Sequence, residues 1–145
     1  MHPRLSSGKR NLRSAAFCAL VAACALAVPA LAADIGPGPD TVTVQSHGYL
    51  VKARVTPNSS RTWNDIELTV TRHGSALRRA AVSVRFEMPA MSMGAPRFRL
   101  REARPGVYRY SGPAISMAGL WVLTFNVRPP GARAFSVVVR DHVRG

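Results

Sequence analysis

The sequence predicts an all-β fold, an antiparallel β-sandwich of about seven strands that follows an N-terminal hydrophobic segment. Three observations support this. Apolar and polar residues alternate along several short runs, glycine and proline turn signals separate these runs at intervals of about 8 to 15 residues, and residues 41–145 contain no helical hydrophobic stripe. The length of 145 residues is sufficient for one globular domain with a hydrophobic core.

The predicted strands begin near Thr41. The runs 41–44 and 49–55 predict two short strands, or one bulged strand, on either side of Ser46-His47-Gly48. The later runs place large apolar residues at every second position, and they lie at 66–70, 82–86, 97–101, 107–110, 120–127 and 135–139. This number of short strands is typical of an immunoglobulin-like sandwich.

One hydrophobic core is expected between the two sheets. The run 120–127 is the most apolar of the predicted strands. The residues that we expect to share this core are Val82, Val84, Phe86, Trp121, Leu123 and Phe125. Trp63 lies beside polar residues, and we expect it to be partly exposed.

Residues 1–32 have the features of a secretory signal peptide. Four basic residues precede an uncharged apolar run, and Ala30-Leu31-Ala32 supplies the small residues that a signal peptidase requires. We expect cleavage after Ala32. Two alternatives stay open: a lipid on Cys24, which follows a lipoprotein-like Val21-Ala22-Ala23, or retention of the run as an uncleaved anchor. All three place the domain outside the cytoplasm.

Residues 33–40 are rich in glycine and proline and predict a linker before a domain at 41–145. Both cysteines, Cys18 and Cys24, lie in the leader, so the remaining chain can form neither a disulfide nor a thiolate metal site. A soft metal would have to bind through methionine.

The chain is basic, with 20 Lys and Arg against 7 Asp and Glu. Four of the basic residues lie in the leader, which leaves a balance of +9 for the rest. The arginines are spread along the sequence, and an exported domain meets no nucleic acid, so we expect no nucleic-acid partner. A solvated basic face and a surface for anionic lipid or an acidic partner are both consistent with this distribution.

The most distinctive stretch is Met88-Pro89-Ala90-Met91-Ser92-Met93, which we call the methionine corner. It holds three of the five methionines, and Pro89 must interrupt strand pairing. Met88 continues the inward face of Phe86 and is expected to pack, whereas Met91 and Met93 lie among small residues that demand no apolar side chain. With Met117, which precedes the apolar strand, these thioethers form a candidate Cu(I) site, because soft neutral sulfur donors favour Cu(I).

Other chemistry finds little support in the sequence. His47, His73 and His142 are expected in loops or near the terminus, and none is adjacent to a methionine in sequence. The acidic residues are scattered, and no nucleophile motif, phosphate-binding loop or His/Asp cluster occurs. We therefore expect a protein that is not an enzyme.

The order of landmarks from Asn64 to Val127 resembles the exported YtkA-like and FixH-like domains. The resemblance rests on Met88-Pro89 with Met91 and Met93, on Gly106 with Tyr108, and on Met117 with Gly119 and Trp121. It implies a small immunoglobulin-like sandwich outside the cytoplasm, often found with components of copper transport, heavy-metal efflux or oxidase assembly. Most members have no established biochemical activity.

Two functional hypotheses follow. In the first, the domain is an accessory protein that binds or passes Cu(I) through Met91 and Met93, together with Met88 or Met117. In the second, it is a scaffold that binds no metal and docks onto a membrane transporter or an oxidase-assembly component, with peripheral contact to the membrane.

Overall fold

The alternating runs form ten strands in the computed structural model, which describes residues 32–36, 38, 40–91 and 94–145. The strands are β1 (Ala33–Ile35), β2 (Asp40–Ser46), β3 (Tyr49–Thr56), β4 (Asn64–Arg72), β5 (Ser75–Ala76), β6 (Ala81–Glu87), β7 (Arg97–Arg104), β8 (Val107–Gly112), β9 (Gly119–Arg128) and β10 (Phe135–Val143). The predicted all-β sandwich is confirmed. The count exceeds seven partly because β1 and β5 have only three and two residues.

The strands pair in the order β1-β10-β9-β6-β7-β8-β4-β3-β2, with β5 on β4. All pairs are antiparallel except β1 with β10. We call β10, β9, β6 and the first half of β7 the β9 sheet, and the remainder from β8 to β2 the β4 sheet. None of the described residues forms a helix that could cross a membrane.

Strand β7 connects the two sheets. Its residues 97–100 pair with β6, whereas its residues 101–104 pair with β8. A bulge between Glu102 and Arg104 accompanies this change of partner. Strands β1 and β10 also contact β2, so the two ends of the strand order approach each other and the sandwich is nearly closed.

The core lies between the two sheets and contains the predicted residues. Val84, Phe86, Leu123 and Phe125 are fully buried, and Val82 and Trp121 are almost so. Ile66, Leu68 and Val70 face them from β4 within the same cluster. Period-two alternation therefore assigned the inward faces of β4, β6 and β9 correctly.

The β2–β3 connection is a two-residue turn. His47 and Gly48 both have positive φ, 51° and 79°, as a type I′ hairpin turn requires. The two strands pair without a break from Asp40–Val55 to Ser46–Tyr49. Of the two alternatives from the sequence, two short strands are therefore correct and one bulged strand is not. Gly48 allows the tight turn that separates the two strands.

The segment 33–40, for which the sequence predicted a linker, differs from that expectation. Ala33–Ile35 form β1, which pairs in parallel with Val139–Asp141 of β10, and β2 already begins at Asp40. The physical reason is Ile35, whose side chain is fully buried in the core and anchors β1.

A buried polar pair joins β10 to the 57–63 loop. Asp141 and Asn58 are both fully buried, and Asn58 Nδ2 donates hydrogen bonds to Asp141 Oδ1 at 2.7 Å and to the Gly36 carbonyl at 3.2 Å. Asp141 Oδ2 and Asn58 Oδ1 have no hydrogen-bond partner among the described residues. Burial raises the pKa of Asp141 to about 6, against the opposing effects of Asn58 and His142.

Replacing Trp121 by Ala should lower the free energy of unfolding by about 3 to 5 kcal/mol, because a large buried side chain is lost and a cavity remains. Trp63→Ala is the matched control, since Trp63 is 67% exposed and its loss should change stability by only about 0.5 kcal/mol. Urea denaturation measures both. Equal effects of the two substitutions would contradict the assignment of Trp121 to the core.

The Asp141 carboxyl should make stability depend on pH. Its pKa is higher in the folded protein than the ordinary value of 3.8, so its stabilising contribution is present below pH 3.8 and is lost as pH rises through about 6. Between pH 5 and pH 7.5 this loss should amount to about 1 to 2 kcal/mol.

Asp141→Asn should remove this pH dependence, because the amide cannot ionise. Asp65→Asn is the control, since Asp65 is exposed on β4 and should leave the pH dependence unchanged. Urea midpoints at the two pH values measure both variants. If Asp141→Asn loses stability with rising pH as steeply as the wild type, the burial argument is wrong.

Candidate functional site

The methionine corner forms the connection between β6 and β7 at one end of the sandwich. The Met91 amide donates a hydrogen bond to the Met88 carbonyl at 3.0 Å, which makes a turn around Pro89 and Ala90. The Phe86 amide donates to the Pro96 carbonyl at 3.0 Å and closes the base of the loop. Ser92 and Met93 lie outside the described residues, so the placement of Met93 stays a prediction.

Met88 is a packing residue at the base of this loop. It is half-buried and packs against the core cluster, as its position two residues after Phe86 predicted. Together with Phe98 and Trp121 it lines a cavity of about 210 Å³. Its side chain therefore reaches under the corner toward the beginning of β9.

Gly119 makes the approach of Met88 possible. A Cβ added at Gly119 would lie 2.7 Å from the Met88 Cε, and the glycine has a φ of +128° that other residues rarely adopt. The terminal methyl group of Met88 thus rests almost directly on the backbone where β9 begins. This contact joins the methionine corner to the segment that carries Met117.

Met117 lies two residues before Gly119 and is half-buried. Its carbonyl accepts a hydrogen bond from Trp121 Nε1 at 3.0 Å, so its backbone is tied to the core tryptophan. The structure therefore brings the segments of Met88 and Met117 together at one end of the sandwich. Met91 has an exposed fraction of 43% and is the most accessible of the three described methionines.

The 57–63 loop and the C-terminus complete the same end of the molecule. The Ser60 amide donates to the Arg144 carbonyl at 3.0 Å, and a Cβ on Gly145 would lie 3.4 Å from the Ala118 Cβ. Asn64, fully buried, accepts a hydrogen bond from the Ser59 amide and donates to the carbonyls of Ser59 and Thr62. We call this region, made of residues 57–63, 88–91, 94–96, 113–118 and 144–145, the methionine end.

Large apolar side chains are exposed at and beside the methionine end. Trp63 is 67% exposed and Met91 is 43% exposed, and Leu120, on the outer face of β9 next to this end, is 37% exposed. Leu50, at 41%, lies at the opposite end, beside the His47–Gly48 turn. Three of the four exposed large apolar side chains of the described residues therefore lie at or beside the methionine end.

The three histidines of the described residues divide between the two ends. His47 and His73 lie in turns at the end opposite the methionines, where His47 stacks on Phe135 with ring centroids 5.8 Å apart. His142 is exposed on β10 and pairs with Leu120 of β9. Leu120 lies three residues after Met117 in the sequence. Sequence reasoning missed this proximity, because only the β9–β10 register places His142 near the methionine end.

Asp141 is the second residue that sequence reasoning missed. It continues the inward positions of Val137 and Val139 on β10, so the period-two pattern contained the signal. Its carboxylate accepts a hydrogen bond from Asn58 and so holds the 57–63 loop against β10. Within the described part of the chain, no three His, Cys, Asp or Glu side chains are grouped so that they could hold a metal ion.

The comparisons with known proteins support one family. The family described as YtkA-like matches residues 43–126, more than half of the 145-residue chain, from β2 into β9. No curated protein and no solved structure matches the chain. The matched range includes Met88, Met91 and Met117, and the chain belongs to the YtkA-like family.

Proposed function

We propose that this protein is an exported, non-enzymatic accessory protein that binds Cu(I) through thioethers at the methionine end. The observation that supports this most is the contact of Met88 Cε with Gly119, which brings the methionine corner onto the segment of Met117. Two short loops with flexible thioether side chains then meet at one accessible end of a rigid sandwich.

The donor set determines which metal is expected. Met91 and Met93 are the proposed principal ligands, Met117 is the proposed third, and Met88 is assigned to packing because its methyl group is already in contact with the backbone at Gly119. Neutral thioethers are soft donors, so they favour Cu(I) over Zn(II). No donor must lose a proton, so affinity should change little with pH.

A second candidate function is docking without metal. Trp63, Met91 and the nearby Leu120 are exposed at or beside the methionine end, and exposed aromatic and methionine side chains are enriched at protein interfaces. The partner would be a membrane transporter or an oxidase-assembly component. Docking would use the same end of the molecule as copper binding. Replacing methionine by leucine distinguishes the two functions, because it removes the sulfur donors and keeps an apolar surface.

Replacing Met91 and Met93 together by Leu should abolish Cu(I) binding with little change in stability, because the substitution keeps the apolar volume and removes the sulfur. Competition with a chromogenic Cu(I) chelator measures binding, and urea denaturation measures stability. The wild-type affinity should be nearly the same at pH 6 and pH 8, whereas a site that depends on histidine would weaken as imidazole protonates.

The matched control is Met88→Leu, which removes one thioether from the packed position. It should retain Cu(I) binding, because Met88 is assigned to packing. If the Met91/Met93 double variant binds copper as the wild type does, or if the wild type binds none, the docking function takes the place of the copper function.

Export can be tested separately. If the leader is removed after Ala32, the intact mass of protein from the extracytoplasmic fraction should correspond to a chain that begins at Ala33. Cleavage at this position retains all of β1, which begins at Ala33. Recovery of a full-length species, or of a chain with a lipid on Cys24, would contradict cleavage after Ala32.

A further inference from the structure

A second cavity lies on the outer face of the β9 sheet, away from the methionine end. Its volume is about 630 Å³, within the range of small-molecule sites, and it is formed where β6 and β10 begin and β9 ends. We call this cavity the arginine groove. Its lining includes three exposed arginines, Arg97, Arg99 and Arg128.

The strand register places polar side chains in a row across the floor of the groove. Arg99 of β7 pairs with Ser83 of β6, Ser83 pairs with Asn126 of β9, and Asn126 pairs with Ser136 of β10. Each of the four lies between inward-facing apolar residues, so all point to the outer face. Ser136 Oγ donates to Asn126 Oδ1 at 2.8 Å, which fixes the amide at the centre of the row.

The charge of the groove is uncompensated within the described structure. None of its lining residues, all of which are described, is acidic. Arg97, Arg99 and Arg128 form no salt bridge with any described residue, whereas Arg109 pairs with Glu67 elsewhere. Arg97 also lies opposite Arg85 in the β6–β7 register, and Arg85 forms an ion pair with Glu87 at 3.4 Å.

We propose that the arginine groove binds a phosphate-bearing ligand. A phosphate group offers three or four acceptor oxygens, and several guanidinium groups with neighbouring hydroxyls can saturate them. A carboxylate offers only two oxygens, which a single guanidinium can satisfy in a bidentate pair. Three arginines with Ser83 and Ser136 in one cavity therefore match phosphate better than carboxylate.

The shared chemistry leaves two sources of phosphate, a soluble phosphate compound or the headgroup of an anionic phospholipid. Soluble pyrophosphate and sedimented vesicles distinguish them. The vesicles contain phosphatidylcholine alone or with phosphatidylglycerol at about 30%. Citrate serves as the carboxylate probe at equal ionic strength. All measurements use the full chain.

The test compares two triple variants that remove the same charge. The groove variant removes the three arginines that line the groove, by the substitutions Arg97→Gln, Arg99→Gln and Arg128→Gln. The control variant removes three exposed arginines that do not line it, by the substitutions Arg54→Gln, Arg61→Gln and Arg104→Gln. The groove variant should bind pyrophosphate, or phosphatidylglycerol vesicles, with an affinity at least about tenfold lower than that of the wild type. The control variant should bind as the wild type does. Thermal unfolding verifies that both variants are folded.

Binding of pyrophosphate assigns the groove to a soluble ligand, and binding of vesicles alone assigns it to a headgroup; both support the proposal when only the groove variant loses binding. Equal losses in both variants would show attraction by net charge and overturn it. Stronger binding of citrate than of pyrophosphate, or no binding of either phosphate probe, would overturn it as well.

Discussion

The contact between the Met88 methyl group and the backbone at Gly119 is the constraint on which the methionine end depends. Only a residue without a Cβ permits this approach, and only a flexible, unbranched side chain can reach across it from the end of β6. The contact fixes the base of the methionine corner against the first residue of β9. Met91 is left at the surface as a consequence, because the turn from Met88 to Met91 leads away from the core.

The rest of the sandwich supports this arrangement from below. Trp121, two residues after Gly119, fills the core and ties the Met117 carbonyl with its indole nitrogen. On the other side, the buried pair of Asn58 and Asp141 holds the 57–63 loop against β1 and β10. The cost of burying that carboxyl is visible in its pKa of about 6, so the core responds to pH near neutrality at this position.

The methionine end and the arginine groove lie on different parts of the surface. The exposed apolar side chains Trp63, Met91 and Leu120 lie at or beside the methionine end, whereas the arginine groove opens on the outer face of the β9 sheet toward the opposite end. The proposed Cu(I) site and the proposed phosphate site could thus be occupied together. Net charge alone, read from composition, did not distinguish the groove from a solvated basic face.

The sequence predicted the faces of the strands well, because period-two alternation reports burial directly. It placed Phe86, Trp121 and Phe125 in one core and predicted exposure of Trp63, all confirmed by the structure. The sequence did not predict β1, because a single apolar residue, Ile35, in a Gly/Pro-rich segment has no periodicity. It did not predict the arginine groove either, because the row of polar residues across four strands depends on the register between distant segments. The proximity of His142 to the methionine end was missed for the same reason.

The central claim is that thioethers at the methionine end bind Cu(I). X-ray absorption spectroscopy at the copper edge of the Cu(I)-loaded protein tests it most directly, because scattering from sulfur differs from that of an imidazole ring. The account predicts a first shell of two or three sulfur atoms without imidazole scattering, unchanged in a His142→Ala variant. A nitrogen-dominated shell with imidazole scattering, lost on replacement of His142, would contradict it.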